Sequence, residues 1–254
     1  MQGLMMDSAL TITSLMQYAE KVNPHSEIVS VTLDNPRHRY TFTDAFKRTR
    51  QLANVLQQLG AKPGDCIGTL AWNDYRHFEL YYGVSCSGMI CHTINPRLFP
   101  EQIEFIINHA EDQFIFIDTL FLPLLDALKD KMPTVKGIVV LTDAAHMPAT
   151  TLDNVYCYED LLAQQTDEFN WPALDENTAS VLCYTSGTTG NPKGVLYSHR
   201  SAVLHAYAGS LPDAMGVSGK LAVMPIVPMF HVNAWGIPYG AVLSGSKIVF
   251  PGQK

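Results

Sequence analysis

The feature that most constrains the fold is an alternation of short uncharged runs with longer segments of helical periodicity, beginning near residue 27. The runs at 66–71, 90–95, 114–117 and 137–141 contain no charged residue, and the spacers at 74–88, 101–110 and 120–131 place apolar residues at helical spacing. Strand, helix and strand repeated in this way make βαβ units, and uncharged strands suit burial on both faces of a parallel sheet. The expected fold class is α/β, with layered, mostly parallel sheets flanked by helices.

Local signals extend this outline. Thr43 is expected to cap a helix whose apolar positions Phe46, Leu52, Ala53, Leu56 and Leu59 recur every three to four residues, with Gly60 as a left-handed stop. Residues 179–185 and 194–198 read as strands, 201–215 as helix, 221–226 as extended, 232–243 as helix and 247–250 as strand. Periodicity lapses over 143–152, which marks a surface loop or a subdomain boundary within 143–178.

Composition removes several function classes. With 254 residues, 47% hydrophobic and 16% charged, the chain is globular rather than disordered. A net charge of −7 argues against nucleic acid as a partner, because such binders present clustered Lys and Arg. The five cysteines show no C-x-x-C spacing for zinc and are expected to be free thiols in a reducing cytoplasm. The first 20 residues lack the basic start of a secretory signal, and no uncharged apolar run approaches the roughly 20 residues of a spanning helix. The expectation is a soluble cytoplasmic protein, with a peripheral membrane contact left open.

Between the strands at 179–185 and 194–198 lies the string Tyr-Thr-Ser-Gly-Thr-Thr-Gly-Asn-Pro-Lys-Gly, residues 184–194. Its hydroxyls on Thr185, Ser186, Thr188 and Thr189, its glycines Gly187 and Gly190, and the cation of Lys193 can converge on phosphate oxygens. It is not a Walker A loop, since no Gly-Lys-Ser or Gly-Lys-Thr follows, and it lacks the dinucleotide-binding spacing. Composition alone would favour a plain Ser/Thr/Gly hairpin.

The whole string resembles, position for position, the phosphate loop of the adenylate-forming (AMP-binding) superfamily. That superfamily includes acyl-CoA synthetases, aryl-CoA ligases, luciferases and peptide-synthetase adenylation domains. The resemblance implies that Thr185, Ser186, Gly187, Thr188, Thr189 and Gly190 wrap the β- and γ-phosphates of ATP. It further implies that Lys193 helps neutralise them, and that Thr185 neighbours Mg²⁺. A carboxylate is a poor electrophile until its oxygen attacks the α-phosphate of ATP and expels pyrophosphate, whose charge must be stabilised.

A second string, Pro-Met-Phe-His-Val-Asn-Ala-Trp-Gly at 228–236, resembles the acyl-pocket motif of the same superfamily, most like its medium- and long-chain fatty acyl-CoA synthetase branch. Amino-acid-activating relatives carry an aspartate where this chain has His231, so an acid without an α-amino group is implied. His231 is then expected beside the reacting carboxylate. Trp235, four residues on, is expected on the same helical face if that segment is helical, where it lines or closes the mouth of the acyl tunnel or else is a plain core tryptophan. His199 and Arg200 could add positive potential near the phosphates, although residues between a strand and a helix more often cap or face solvent. Tyr81, Tyr82, His92 and His109 read as core or interface residues.

The motifs that complete the superfamily's adenine, ribose and CoA sites do not occur within residues 1–254. The expectation is therefore the front part of the N-terminal domain of a fatty acyl-CoA synthetase, using ATP, Mg²⁺ and CoA as co-substrate. Alone it should be inactive or nearly so, its natural partner being the missing C-terminal half. A homodimer through the arm before Ser14 stays open. Two alternatives remain: an aryl-CoA ligase or luciferase-like enzyme, and a non-catalytic module that binds ATP or an acyl chain.

Overall fold

The structure, a computed structural model, describes residues 1, 3–185 and 191–253. The elements in chain order are α1 (Ile12–Val22), β1 (Glu27–Ser30), β2 (His38–Thr41), α2 (Phe42–Gln58), β3 (Cys66–Leu70), α3 (Tyr75–Cys86), β4 (Ile90–Thr93), α4 (Pro100–Ala110), β5 (Phe114–Ile117), α5 (Leu122–Asp126), β6 (Gly137–Val140), β7 (Val155–Cys157), α6 (Tyr158–Ala163), β8 (Ala179–Tyr184), β9 (Gly194–Ser198), α7 (His199–Ser210) and β10 (Ala222–Val223). A last helix, Ile237–Ser244, and β11 (Lys247–Phe250) complete them.

A seven-stranded sheet runs in the order β7-β6-β5-β3-β4-β8-β9. It is parallel except for the edge strand β9, which pairs antiparallel with β8. A four-stranded sheet in the order β10-β11-β1-β2 sets β1 parallel to β11, with Ile28 opposite Ile248, and antiparallel to β2. Alternate residues explain why the long sheet reads as uncharged runs. Phe114, Phe116 and Val139 point into one core cluster, whereas Ile115, Ile117, Ile138 and Val140 point into the other. Both faces are covered, so neither tolerates a charge.

Helix α3 packs against strands of both sheets and every residue in it is buried, including Arg76, His77 and Glu79. Buried polar groups must be paired. Glu79 takes hydrogen bonds from Arg48, Tyr40 and Tyr158, and Arg76 bridges Asp34 and Glu159. Burial alone would raise the Asp34 carboxyl, but the bonds and charge of Arg76, with Thr32, hold it at about 2. The α2–α3 contact is close: a Cβ on Gly83 would lie 2.6 Å from Leu52 Cδ2.

Three local expectations need correction. The cap of α2 is Thr41, not Thr43; Thr41 and Asp44 exchange bonds in a capping box, while the Thr43 hydroxyl donates to the Pro24 carbonyl. The helix expected over 120–131 is broken into 3₁₀ turns around the short α5, which has Pro123 at its second position. His109 is exposed rather than core. Gly60, by contrast, takes the left-handed φ of 87° expected of a helix stop. The strand that follows 143–152, β7, joins the same sheet beside β6. No disulfide links the cysteines, and no helix among the described residues is long and apolar enough to cross a membrane.

Candidate active site

β8 runs parallel to β4 and so carries Tyr184 and Thr185 to the carboxyl edge of the large sheet, where open α/β sheets hold their ligands. β9 returns antiparallel, and the Thr185 N–H donates to the Lys193 carbonyl at 3.0 Å. Thr185 and Lys193 are exposed. The other predicted phosphate-loop residues, Ser186, Gly187, Thr188, Thr189 and Gly190, lie outside the described residues. Just before the loop, Tyr184 is anchored by a 2.7 Å hydrogen bond between its hydroxyl and His109 Nδ1, and by its ring against His92 at 5.1 Å.

The segment leading into the second motif is fixed by one side chain from the end of β3. Asn73 Nδ2 donates to the carbonyls of Pro225 (2.9 Å) and Val227 (3.0 Å), and its Oδ1 accepts from the Met229 N–H at 2.6 Å. The Tyr81 hydroxyl donates to the Met229 carbonyl. Phe230 is then buried edge-on against Trp72, with the Arg97 guanidinium over both rings at 5.5 and 5.7 Å.

The helix expected over 232–243 does not begin at residue 232. Val232, Asn233, Ala234, Trp235 and Gly236 have φ of 44°, 52°, 49°, 56° and 69°, a left-handed turn, and the right-handed helix occupies only Ile237–Ser244. Left-handed backbone costs about 1–2 kcal/mol per ordinary residue, so contacts must hold the turn. Asn233 Oδ1 accepts from the Cys183 thiol at 3.3 Å, Ala234 is fully buried, and His205 Nε2 donates to the Trp235 carbonyl at 2.9 Å. A Cβ on Gly236 would meet His205 Cδ2 at 2.4 Å, so that ring approaches only because position 236 is glycine. His231 and Trp235 therefore do not share a helical face. Both are exposed, His231 at the head of the turn and Trp235 near its end.

Behind the turn lies a cavity of about 280 Å³, lined by Tyr197 of β9, by Ser201, Ala202 and His205 of α7, by Val232, Asn233 and Gly236, and by Tyr239. The Tyr239 hydroxyl is buried and has no hydrogen-bond partner among the described residues. Burial pushes it well above the ordinary tyrosine range, so it keeps its proton and can donate. The site thus joins the strands β8 and β9, through Cys183 and Tyr197, to the second motif.

Asn73, Tyr81, Cys183, His205 and Tyr239 were not singled out as site residues from sequence. For Asn73 a signal existed, a polar residue just past the carboxyl end of a buried strand. His199 and Arg200 do other work. His199 is buried, and its Nδ1 accepts from the Ile12 N–H at 3.1 Å, which ties α1 to α7; Arg200 pairs with Glu176.

The family of AMP-binding enzymes matches residues 17–254. The chain belongs to that family. It is 49% identical to a 3-methylmercaptopropionyl-CoA ligase of Ruegeria lacuscaerulensis over 99% of this chain and 47% of the ligase. It is 47% identical to a medium-chain-fatty-acid–CoA ligase of Ectopseudomonas oleovorans over 99% of this chain and 46% of that protein. The chain thus spans about half the length of these relatives. Among solved structures, its fold matches an anthranilate CoA ligase, AuaEII, in complex with anthranoyl-AMP, with a TM-score of 0.86 at 21% identity, over 100% of this chain and 47% of that one. It also matches the N-terminal domain of FACL13 from Mycobacterium tuberculosis at a TM-score of 0.83 and 23% identity, over 96% of this chain and 57% of that one. This AMP-binding chain therefore has the fold of an adenylate-forming N-terminal domain.

Proposed function

We propose that this chain supplies the phosphate-loop and acid-binding parts of an AMP-forming fatty acyl-CoA synthetase, as the front portion of its N-terminal domain. One observation carries the reading: the cavity behind residues 232–236 is walled by both the strand leaving the phosphate loop and the acyl motif. Similarity to a medium-chain-fatty-acid–CoA ligase and a 3-methylmercaptopropionyl-CoA ligase supports it.

The residues present fit the groups the reaction needs. Thr185 and Lys193, exposed at the carboxyl edge, offer a hydroxyl and an ammonium to phosphate oxygens, with Thr185 as the neighbour of Mg²⁺. ATP supplies the pyrophosphate leaving group, Mg²⁺ offsets its charge, and CoA takes the acyl group. His231 orients the acid's carboxylate from the head of the turn, and Trp235 covers the alkyl chain near its end. Tyr197, Ala202 and Val232 surround that chain within the cavity.

The test is ATP–pyrophosphate exchange with octanoate in the complete protein that carries this sequence. Removing one such cation commonly costs about 100-fold to 1,000-fold, so Lys193→Ala should lower exchange by that factor. Exchange at the wild-type rate would refute the assignment.

A further inference from the structure

Two parts of the site meet at a thiol that nothing in the reaction uses. Cys183, two residues before Thr185 on β8, is buried; its thiol donates to Asn233 Oδ1 at 3.3 Å and lies 3.2 Å from the Thr93 hydroxyl of β4. With the thiol proton committed to Asn233, the Thr93 hydroxyl is the donor to sulfur, and the three side chains form one directed chain from the sheet to the turn. Burial raises the Cys183 thiol, which keeps the proton on it. At the far end, Asn233 is in left-handed backbone and lines the cavity. Asparagine tolerates that backbone better than other side chains except glycine, but glycine would lack the bond to Cys183.

We propose that Asn233 is a specificity-determining positioning residue: through Cys183 and Thr93 it fixes the wall of the acid cavity against the strand that carries the phosphate loop. This rests on the reading of the cavity as the acid pocket. The wall's distance from α7 sets how much alkyl chain fits, so loosening the tie changes which acids are favoured more than whether the protein folds.

The readout is the ratio of octanoate to butyrate affinity, measured by titration calorimetry on the complete protein. Asn233→Gly keeps a residue suited to the left-handed turn but removes the acceptor, and Cys183→Ala removes the donor from the other side. One neutral hydrogen bond corresponds to about threefold to tenfold, so each variant should shift the ratio by that factor. Because both break the same link, the double variant should shift it no further. Cys183→Ser, which retains a donor, should keep the wild-type ratio. A purely structural role would lower the melting temperature of the variants and leave the ratio unmoved; that result, or shifts that multiply in the double variant, overturns the proposal. If Asn233→Gly fails to fold, Cys183→Ala against Cys183→Ser decides the matter alone. Wild-type protein that binds neither acid overturns the acid-pocket reading and this proposal with it, whereas binding with an unmoved ratio overturns only this proposal.

Discussion

Asn73 offers the most direct test of how the site is built. Its side chain makes three hydrogen bonds to main-chain groups of 225–229, at 2.9, 3.0 and 2.6 Å, and the residue is 3% exposed. Each bond contributes about 0.5–1.5 kcal/mol net, and removing one partner leaves the other's desolvation uncompensated. Asn73→Ala should therefore cost about 3 kcal/mol, a large fraction of the roughly 5–15 kcal/mol that holds a domain folded. Asn73→Asp separates the two halves of the argument. It keeps the acceptor for the Met229 N–H but turns both donors into an anion facing two carbonyls, so it should be at least as damaging as alanine. Urea denaturation followed by tryptophan fluorescence gives the differences from the shift in midpoint. A loss below about 1 kcal/mol for Asn73→Ala, or a stable Asn73→Asp, would refute the idea that this one side chain holds the segment at 225–229.

Three further outcomes follow from the same packing. Desolvation lowers His199 from 6.5 to about 4, so the stabilisation from its neutral ring is fully present above pH 6.5 and is lost as pH falls toward 4; this amounts to about 3 kcal/mol. His38 and His77, also lowered to about 4, act in the same direction, and His199→Gln should flatten part of the urea-midpoint profile between about pH 7.5 and 4.5. Glu79→Ala leaves the buried Tyr40 and Tyr158 hydroxyls without an acceptor and Arg48 paired with Glu159 alone, and should cost about 1–3 kcal/mol in thermal or urea unfolding. Gly236→Ala adds a Cβ 2.4 Å from His205 Cδ2 and should destabilise by about 1–3 kcal/mol, with His205→Ala restoring part of the loss in a double-variant cycle.

Apart from β7, the strands of the large sheet were legible because burial on both faces forbids charge, and a run such as Phe114–Ile117 has few other fates. The pairing of β8 with β9 was legible because two apolar strands flank a polar segment. The 232–236 turn was not. Val, Asn, Ala and Trp ahead of an apolar stretch suit a right-handed helix by local preference, and the left-handed form is imposed by Cys183 and His205, distant in sequence. Asn73 was hidden for the same reason, since its bonds reach 152 to 156 residues along the chain. Local preference sees neither.

The pairing of β1 with β11 bears on how the chain is made. The neighbour of the strand at 27–30 on its parallel side, at 247–250, leaves the ribosome some 220 residues later, as Ile28 opposite Ile248 records. At a synthesis rate of about 5–20 residues per second, that edge stays open for about 10–40 seconds. α1 waits for almost as long, because its Ile12 N–H is received by His199. Residues 12–30 of a growing chain thus stay unfinished until nearly the last residues described here have emerged, and they offer a chaperone a long-lived exposed strand edge.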